Sequence, residues 1–256
     1  MFSPIFKLKN KYIAIIACVL FLSPNLGNAI PKDTKDDRTP AQLATNKQAT
    51  ATNDQQWTLW KSDNRQSVSY RKSETSALVE IKAQAQFDSS ISGFLLFIQD
   101  TENIPNWLDN LQYSIVIKQF SAQENLFVNK FKGFLMVSDR DMAVRSRYWQ
   151  NLDGSVEIAV SDAGTEVELT KNTIRMEVIN AHWTIKPIAN TSDKPLIEIE
   201  YVFTVDPKGD LPMWIHKGAS LSGIWKTLNN LQKQLPQSLW QHKRLANIVE
   251  PSYAQD

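Results

Sequence analysis

The sequence of 256 residues has little of what several protein classes depend on: it holds 1 Cys, 8 Gly and 3 His. A single cysteine excludes a disulfide-stapled scaffold. A structural zinc site needs three or four clustered ligands, so one cysteine and three scattered histidines argue against a metal site. The few glycines leave little room for a phosphate-binding loop, and the sequence carries no G-x-S-x-G, H-E-x-x-H or P-loop motif.

The charges nearly balance, with 28 Lys+Arg against 27 Asp+Glu and a net charge of +1. Nucleic-acid binding leaves a basic excess in a sequence, and this one has none, so we expect no nucleic-acid partner. The 42% hydrophobic and 21% charged residues are ordinary for a soluble globular protein. The length predicts one domain, or one domain with tails.

Residues 1–29 have the layout of a secretory signal peptide. An apolar run of 11 residues, 12–22, precedes the small residues Gly27 and Ala29, and three lysines make the start positive: Lys7, Lys9 and Lys11. We expect cleavage after Ala29 and a periplasmic or secreted product. An uncleaved N-terminal anchor is the alternative, although about 20 apolar residues are needed to span a bilayer. Cys18 loosely matches a lipoprotein cleavage box, but the apolar run continues past it.

Residues 30–56 are polar and poor in large apolar side chains, which predicts a disordered linker. The ordered domain is predicted over residues 57–235, and it begins with a short helical stretch holding Trp57, Leu59 and Trp60. Residues 236–256 are predicted to be a C-terminal tail, with a possible short helix and a loose end.

Strict alternation of apolar and polar residues predicts half-buried strands, most clearly over residues 79–87 and 197–205. A further strand is predicted around residues 111–117, where alternation gives one shared face to Leu111, Tyr113, Ile115 and Ile117. Asp88, Ser89 and Ser90 are expected to cap a helix that runs through Ile98. Residues 206–209 suggest a type I turn, with Pro and Gly in its favoured positions.

A long helix is predicted from about Pro212 to Leu235, where Pro236 ends it. Apolar residues recur at spacings of three and four, which is typical of a single buried stripe. The predicted stripe holds Trp214, Gly218, Leu221, Trp225, Leu228, Leu231 and Leu235.

The element order predicts an α+β fold in which a curved antiparallel β-sheet wraps around the long C-terminal α-helix. A curved sheet against a helix leaves a concave space, and an apolar space of this kind suits an apolar ligand.

Several landmarks in this order resemble the START family, the lipid-transfer domains related to the steroidogenic acute regulatory protein. The landmarks are the strand Val68-Ser69-Tyr70-Arg71 after a tryptophan-containing start, Asp100 and Trp107, Ser138-Asp139-Arg140-Asp141, Arg175 and Trp183, and the run from Asp206 to Trp214. They cover roughly residues 57–235. The resemblance implies a helix-grip fold, a hydrophobic tunnel closed by the C-terminal helix, and one bound lipid, sterol or other apolar molecule, with no cofactor.

The sequence departs from the family where sterol-binding members carry a buried acid–base pair. The basic member would fall near Ser146, which shares a face with Met142, Val144 and Tyr148. Because no charge stands there, the resemblance does not extend to a sterol-type polar anchor.

The candidate ligand contacts lie on the sheet and on the long helix. They are Tyr113, Ile115, Met142, Val144, Tyr148 and Phe203 on the sheet, and Trp214, Leu221 and Trp225 on the helix. Ordinary core packing is the alternative for each. Residues 138–141 could form a charged catalytic cluster, but pairing of Arg140 with a neighbouring acid or a backbone carbonyl is the favoured interpretation.

The leading hypothesis is an exported, non-enzymatic carrier that binds, and could transfer, a lipid or another apolar ligand. We expect a monomer that contacts membranes transiently. One alternative is a helix-grip enzyme, such as a cyclase or hydrolase, which requires an acid/base pair facing the cavity. Another is a cell-envelope interaction module whose cavity is filled.

Overall fold

The structure, a computed structural model, describes residues 56–133, 137–189 and 194–251. The signal peptide predicted at 1–29 lies outside these residues, as does the linker predicted at 30–56 except for Gln56. Both therefore stay predictions.

Within the described residues, ten strands form one sheet in the order β1-β2-β3-β10-β9-β7-β6-β5-β4, and β8 pairs with β6 beside this path. All pairs are antiparallel except the short β6–β8 pair. The strands are β1 Thr58–Ser62, β2 Gln66–Lys72, β3 Val79–Asp88, β4 Leu111–Gln119, β5 Glu124–Phe131, β6 Arg140–Gln150, β7 Val156–Asp162, β8 Ile174–Arg175, β9 Glu177–Ile188 and β10 Leu196–Asp206.

The alternation in the sequence sorts each strand into an inner and an outer face. Ala83 on β3, Tyr201 on β10 and Trp183 on β9 stand in one cross-strand row, and all three are buried. Their neighbours in sequence carry the polar side chains of the outer face, such as Lys82 and His182. A period of two in each strand therefore gives one continuous inner face, which is the core side of the sheet.

The helices are α1 Ile91–Ile98, α2 Ile104–Trp107 and α3 Met213–Gln234. The predicted cap of α1 is confirmed, because the Ser90 side chain accepts a hydrogen bond from the Gly93 N–H at 3.0 Å. Every residue of α1 is buried, as its apolar sequence requires. Helix α3 lies against the inner face and packs chiefly on β2, β3 and α2. This arrangement confirms the predicted α+β helix-grip class.

The buried face of α3 differs from the predicted stripe. Leu221, Leu228 and Leu231 are buried as expected, whereas Trp214 and Gly218 are exposed. The buried face instead includes smaller or more polar residues: His216, Ala219, Ser220, Gly223 and Thr227. Small side chains let the helix approach its neighbours closely, so the helix turns this side inward and leaves the bulky tryptophans at or outside its margin.

Two local predictions are wrong. Leu59 and Trp60 belong to a strand and not to a helix, because β1 pairs with β2 along its length. The turn after β10 is not type I, since Lys208 has a φ of 54°. Its conformation follows from tertiary contacts: the Arg140 guanidinium draws in the carbonyls of Pro207 and Lys208.

The segment after α3 is more ordered than the sequence suggested. Two short 3₁₀ helices, Leu235–Gln237 and Leu239–His242, follow it directly. The Glu250 carboxylate then accepts hydrogen bonds from the N–H groups of Ile91 (3.2 Å) and Ser92 (2.7 Å). A carboxylate at a helix N-terminus satisfies N–H groups that lack helical partners, so this segment stabilises α1.

Candidate functional site

The inner face of the sheet opposite α3 has an apolar wall. Met142 and Val144 on β6 and Phe203 on β10 are buried there. An aromatic stack continues the wall, with ring centroids 4.0 Å apart for Trp183 and Tyr201 and 4.7 Å apart for Tyr201 and Phe203. The stack forms because alternation places these rings on one face of adjacent strands.

Five of the predicted contacts are buried in this core: Met142, Val144, Tyr148, Phe203 and Leu221. The hydroxyl of Tyr148 lies 3.1 Å from the Asn247 amide nitrogen, which donates to it, and this bond ties the strand to the C-terminal segment. Burial raises the pKa of Tyr148, so its hydroxyl stays protonated at neutral pH. Contact of these five residues with a ligand stays a prediction.

The predicted inward face of β4 is wrong. Leu111 faces inward opposite Phe131, but a β-bulge follows it, and Tyr113 stands opposite Lys130 on the outer face. Ile115 is consequently 50% exposed, and Ser114 and Val116 face inward instead. One extra residue in a strand reverses the side to which every later side chain points. Tyr113 and Ile115 are therefore not part of the inner wall.

The two predicted tryptophans of α3 also lie away from the inner wall. Trp214 is 76% exposed. Trp225 is half-buried against β1, where its ring lies edge-on to Trp60 at 6.4 Å and beneath the Lys61 ammonium. Both residues stand at the margin of the buried helix face: Trp225 packs on the edge of the core, and neither tryptophan lines the cavity at the start of α3.

A group of polar residues lies on the inner face of β4, β5 and β6, and of its members the sequence pattern had placed only Ser146 on this face. We call it the inner polar patch: Ser114, Asn125, Asn129 and Ser146. Asn125, Asn129 and Ser146 are fully buried and Ser114 is 8% exposed. Among the described residues, their side-chain polar atoms have no hydrogen-bond partner. Alternation through β5 could have revealed the two asparagines, because they share a face with Phe127 and Phe131.

A small apolar cavity of about 30 Å³ lies where the end of β5 meets the start of α3. Phe131, Leu211, Ile215 and Ala219 line it, together with His216 and Arg140. Burial, with a smaller contribution from the Arg140 charge, lowers the pKa of His216 to about 4, so the imidazole is neutral at pH 7. A cavity of this size has room for one or two water molecules.

The charged run at 138–141 has the structural role that was favoured for it. Arg140 donates to the carbonyls of Ser138 (2.9 Å) and Pro207 (3.1 Å), which fixes the loop beside the cavity. Asp141 forms a two-armed pair with Arg175 at 2.7 and 2.9 Å. Burial opposes ionisation of Asp141, but its bonds to Arg175 and Thr170 outweigh burial and lower its pKa.

The backbone beside this loop leaves no space for a side chain at Gly133. A Cβ there would come within 2.0 Å of the Val137 carbonyl oxygen. The Gly133 N–H donates to Asp139 at 2.8 Å, and this bond is the main cause that lowers the pKa of the carboxyl. Gly133 and residues 138–141 thus hold the cavity wall together.

Among residues 56–133, 137–189 and 194–251, no group of three or more His, Cys, Asp or Glu side chains could hold a metal ion. No helix in the described part of the chain is long and apolar enough to cross a membrane.

Comparison with known proteins gives a result for the fold but none for the sequence. No protein-family model and no curated protein matches the sequence. Human STARD10 aligns with a TM-score of 0.60 at 20% identity, over 69% of this chain and 71% of that chain. A STAR-related lipid transfer protein from Xanthomonas axonopodis aligns with a TM-score of 0.60 at 22% identity, over 69% of this chain and 96% of that chain. Human StAR-related lipid transfer protein 5 aligns with a TM-score of 0.61 at 15% identity, over 69% of this chain and 85% of that chain.

The chain therefore has a START-like helix-grip fold, as the sequence landmarks predicted. At these identities the likeness concerns the fold. What the molecule binds has to be argued from its own residues.

Proposed function

We propose that the protein binds one lipid or a similar apolar molecule between the inner face of the sheet and α3. The observation that carries this proposal is the buried apolar wall on the inner faces of β6 and β10, together with the apolar cavity that Ala219 of α3 and Phe131 of β5 line. Burying a ligand there contributes about 0.8 kcal/mol per CH₂ group, so a single acyl chain supplies ample affinity. The names of the solved structures with the same fold, which are lipid-transfer domains, support this ligand class.

Ligand entry requires α3 to move. The cavity of about 30 Å³ beside Ala219 is far smaller than the several hundred Å³ typical of a lipid-sized pocket. The N-terminal half of α3 lines this cavity, whereas its C-terminal half is tied to α2 by bonds such as that from the Asn230 amide to the Trp107 carbonyl. We therefore assign the opening motion to the N-terminal half. Such motions fall in the microsecond to millisecond range.

Export and membrane contact are part of the same proposal. The layout of residues 1–29 supports secretion into the periplasm or the medium. The exposed Met213 and Trp214 at the start of α3, beside the cavity-lining Leu211 and Ile215, support a transient contact with a membrane during lipid exchange. A carrier of this kind needs no catalytic step, and the ligand is expected to leave unchanged.

The first test is native mass spectrometry of the purified protein. We expect a co-purified apolar molecule in a one-to-one complex, and after delipidation we expect uptake of a fluorescent fatty acid. A protein that carries nothing and takes up no apolar probe contradicts the proposal.

A matched pair of variants locates the site. Ala219→Phe places a ring in the cavity and should lower uptake roughly tenfold or more, while overpacking costs about 1–3 kcal/mol of stability. Lys233→Phe adds the same ring on the exposed side of α3 and should bind like the wild type. Equal uptake by both variants would place the ligand elsewhere.

A further inference from the structure

The inner polar patch consists of two amide–hydroxyl pairs set by strand register. Asn125 on β5 stands opposite Ser146 on β6, and Asn129 stands opposite Ser114 on β4. Each pair places one carboxamide beside one hydroxyl on the inner face. Asn125 and Asn129 are four residues and therefore about 13 Å apart along the strand, so the two pairs are separate polar sites with Phe127 between them.

These side chains are buried but not paired. An asparagine amide offers two donors and an acceptor, and a serine hydroxyl offers one donor and an acceptor. None of these atoms has a hydrogen-bond partner among the described residues, although each pair consists of cross-strand neighbours. Buried polar groups are almost always hydrogen-bonded, because leaving them unpaired is costly. Unpaired groups on the inner face, where the proposed function places the ligand, therefore indicate polar atoms of the ligand.

The patch contains no ionisable group, which decides the kind of ligand atoms it suits. Arg140, on the same inner face, already directs its guanidinium at the carbonyls of Ser138, Pro207 and Lys208. His216, which lines the cavity beside Phe131, is neutral at pH 7 because burial lowers its pKa to about 4. An ionised phosphate or carboxylate brought to the patch would lose its hydration without gaining an opposite charge. A hydroxyl, ester or amide group would instead find both donors and acceptors.

We propose that the inner polar patch selects a neutral lipid that carries hydroxyl, ester or amide groups, and that it discriminates against anionic lipids. This inference rests on the proposed function and names its ligand class. Asn125 and Asn129 supply most of the recognition, since each amide can donate and accept at the same time. The hydroxyls of Ser114 and Ser146 add a second donor and acceptor group beside Asn129 and Asn125, respectively.

The test compares two lipids that differ in charge. Monooleoylglycerol and its phosphate ester share one oleoyl chain, and each is titrated against a fluorescent apolar dye bound to the delipidated protein. We expect the wild type to bind monooleoylglycerol at least roughly tenfold more tightly than the phosphate ester. Equal binding, or a preference for the phosphate ester, overturns the inference while leaving apolar-ligand binding intact. Failure of both lipids and of the dye overturns the proposed function as well.

Variants locate the recognition. Asn125→Leu and Asn129→Leu keep the side-chain size, should leave the melting temperature equal or higher, and should reduce the preference for monooleoylglycerol to about twofold or less. Asn180→Leu on the exposed surface of β9 is the control and should keep the full preference. Variants that melt higher and retain the preference show that the amides serve only bound water, which overturns the inference. If a leucine variant does not fold, Ser146→Ala and Ser114→Ala provide the same measurement.

Discussion

The inner face of the sheet has two halves that differ in the kind of side chain they bury. The packed half, on β3, β9 and β10, consists of apolar and aromatic side chains that stack on one another and on α1. The polar half, on β4, β5 and β6, mixes apolar residues with the four unpaired members of the inner polar patch. Helix α3 packs chiefly on β2, β3 and α2, and its start approaches the polar half beside Phe131 at the end of β5. The difference indicates that the packed half chiefly stabilises the fold while contributing Phe203 to the apolar wall, and that the polar half is the candidate surface for a ligand's polar atoms.

The largest expected effect comes from the packed half. Trp183→Ala removes a fully buried ring that stacks on Tyr201 and also contacts Phe94, and it should lower the free energy of unfolding by about 3–5 kcal/mol. Denaturant unfolding measures the loss. Trp149→Ala, a partly exposed tryptophan on the outer face, is the control and should cost about 1 kcal/mol or less. Equal losses would mean that the packed half is no more important for stability than the sheet exterior.

A smaller effect is expected where the polar half is anchored. Asp141→Asn on β6 breaks the pair with Arg175, which still donates to the carbonyls of Gly164 and Glu168. Because Arg175 keeps these partners, the free energy of unfolding at pH 7 should fall by about 2–3 kcal/mol, which is less than the full cost of leaving a buried charge unpaired.

The same variant gives a pH signature. Although burial opposes ionisation, the hydrogen bonds from Arg175 and Thr170 hold the pKa of Asp141 below its usual value. As the pH falls, Asp141 takes up a proton in the unfolded chain before it does so in the native protein. The stability that its ionised carboxylate contributes is therefore present above about pH 4, near the unfolded pKa, and is lost as the pH drops towards the native pKa. Asp141→Asn should show a shallower loss over this range in acid denaturation. An unchanged acid profile would contradict the assignment.

The smallest effect on stability is expected at Trp214, which belongs to neither half. Trp214→Ala should change the free energy of unfolding by no more than about 0.5 kcal/mol, since the side chain is largely exposed. Co-sedimentation with phospholipid vesicles should nevertheless fall several-fold if this residue makes the proposed membrane contact. Trp149→Ala serves again as the control, and a loss of equal size in both variants would reject a specific role for Trp214.

Strands with an uninterrupted alternation were predicted well. Residues 79–87 and 197–205 gave β3 and β10 with the correct inward face, and Ser90 gave the correct start of α1. These features depend on local chemistry: the period of two, and a serine oxygen that satisfies a free N–H.

Strands and helices whose orientation depends on partners were predicted less well. Periodicity cannot show a bulge, so Tyr113 and Ile115 were assigned to the wrong face of β4. Hydrophobicity favoured Trp214 and Trp225 for the buried face of α3, but close packing favoured Ala219, Ser220 and Gly223. The two asparagines of the inner polar patch were not predicted to face inward, because a polar residue in a strand is ordinarily expected to face water.

The sequence by itself determined the alternating strands, the capped apolar helix and the order of landmarks that resembles START domains, because these are set by neighbours along the chain. Only the tertiary structure decided which side of β4 and α3 faces inward, and that the amides of Asn125 and Asn129 are buried without partners. The physical reason is that a strand bulge and helix packing respond to surrounding atoms distant in sequence. A one-residue shift is enough to exchange the buried and exposed sides.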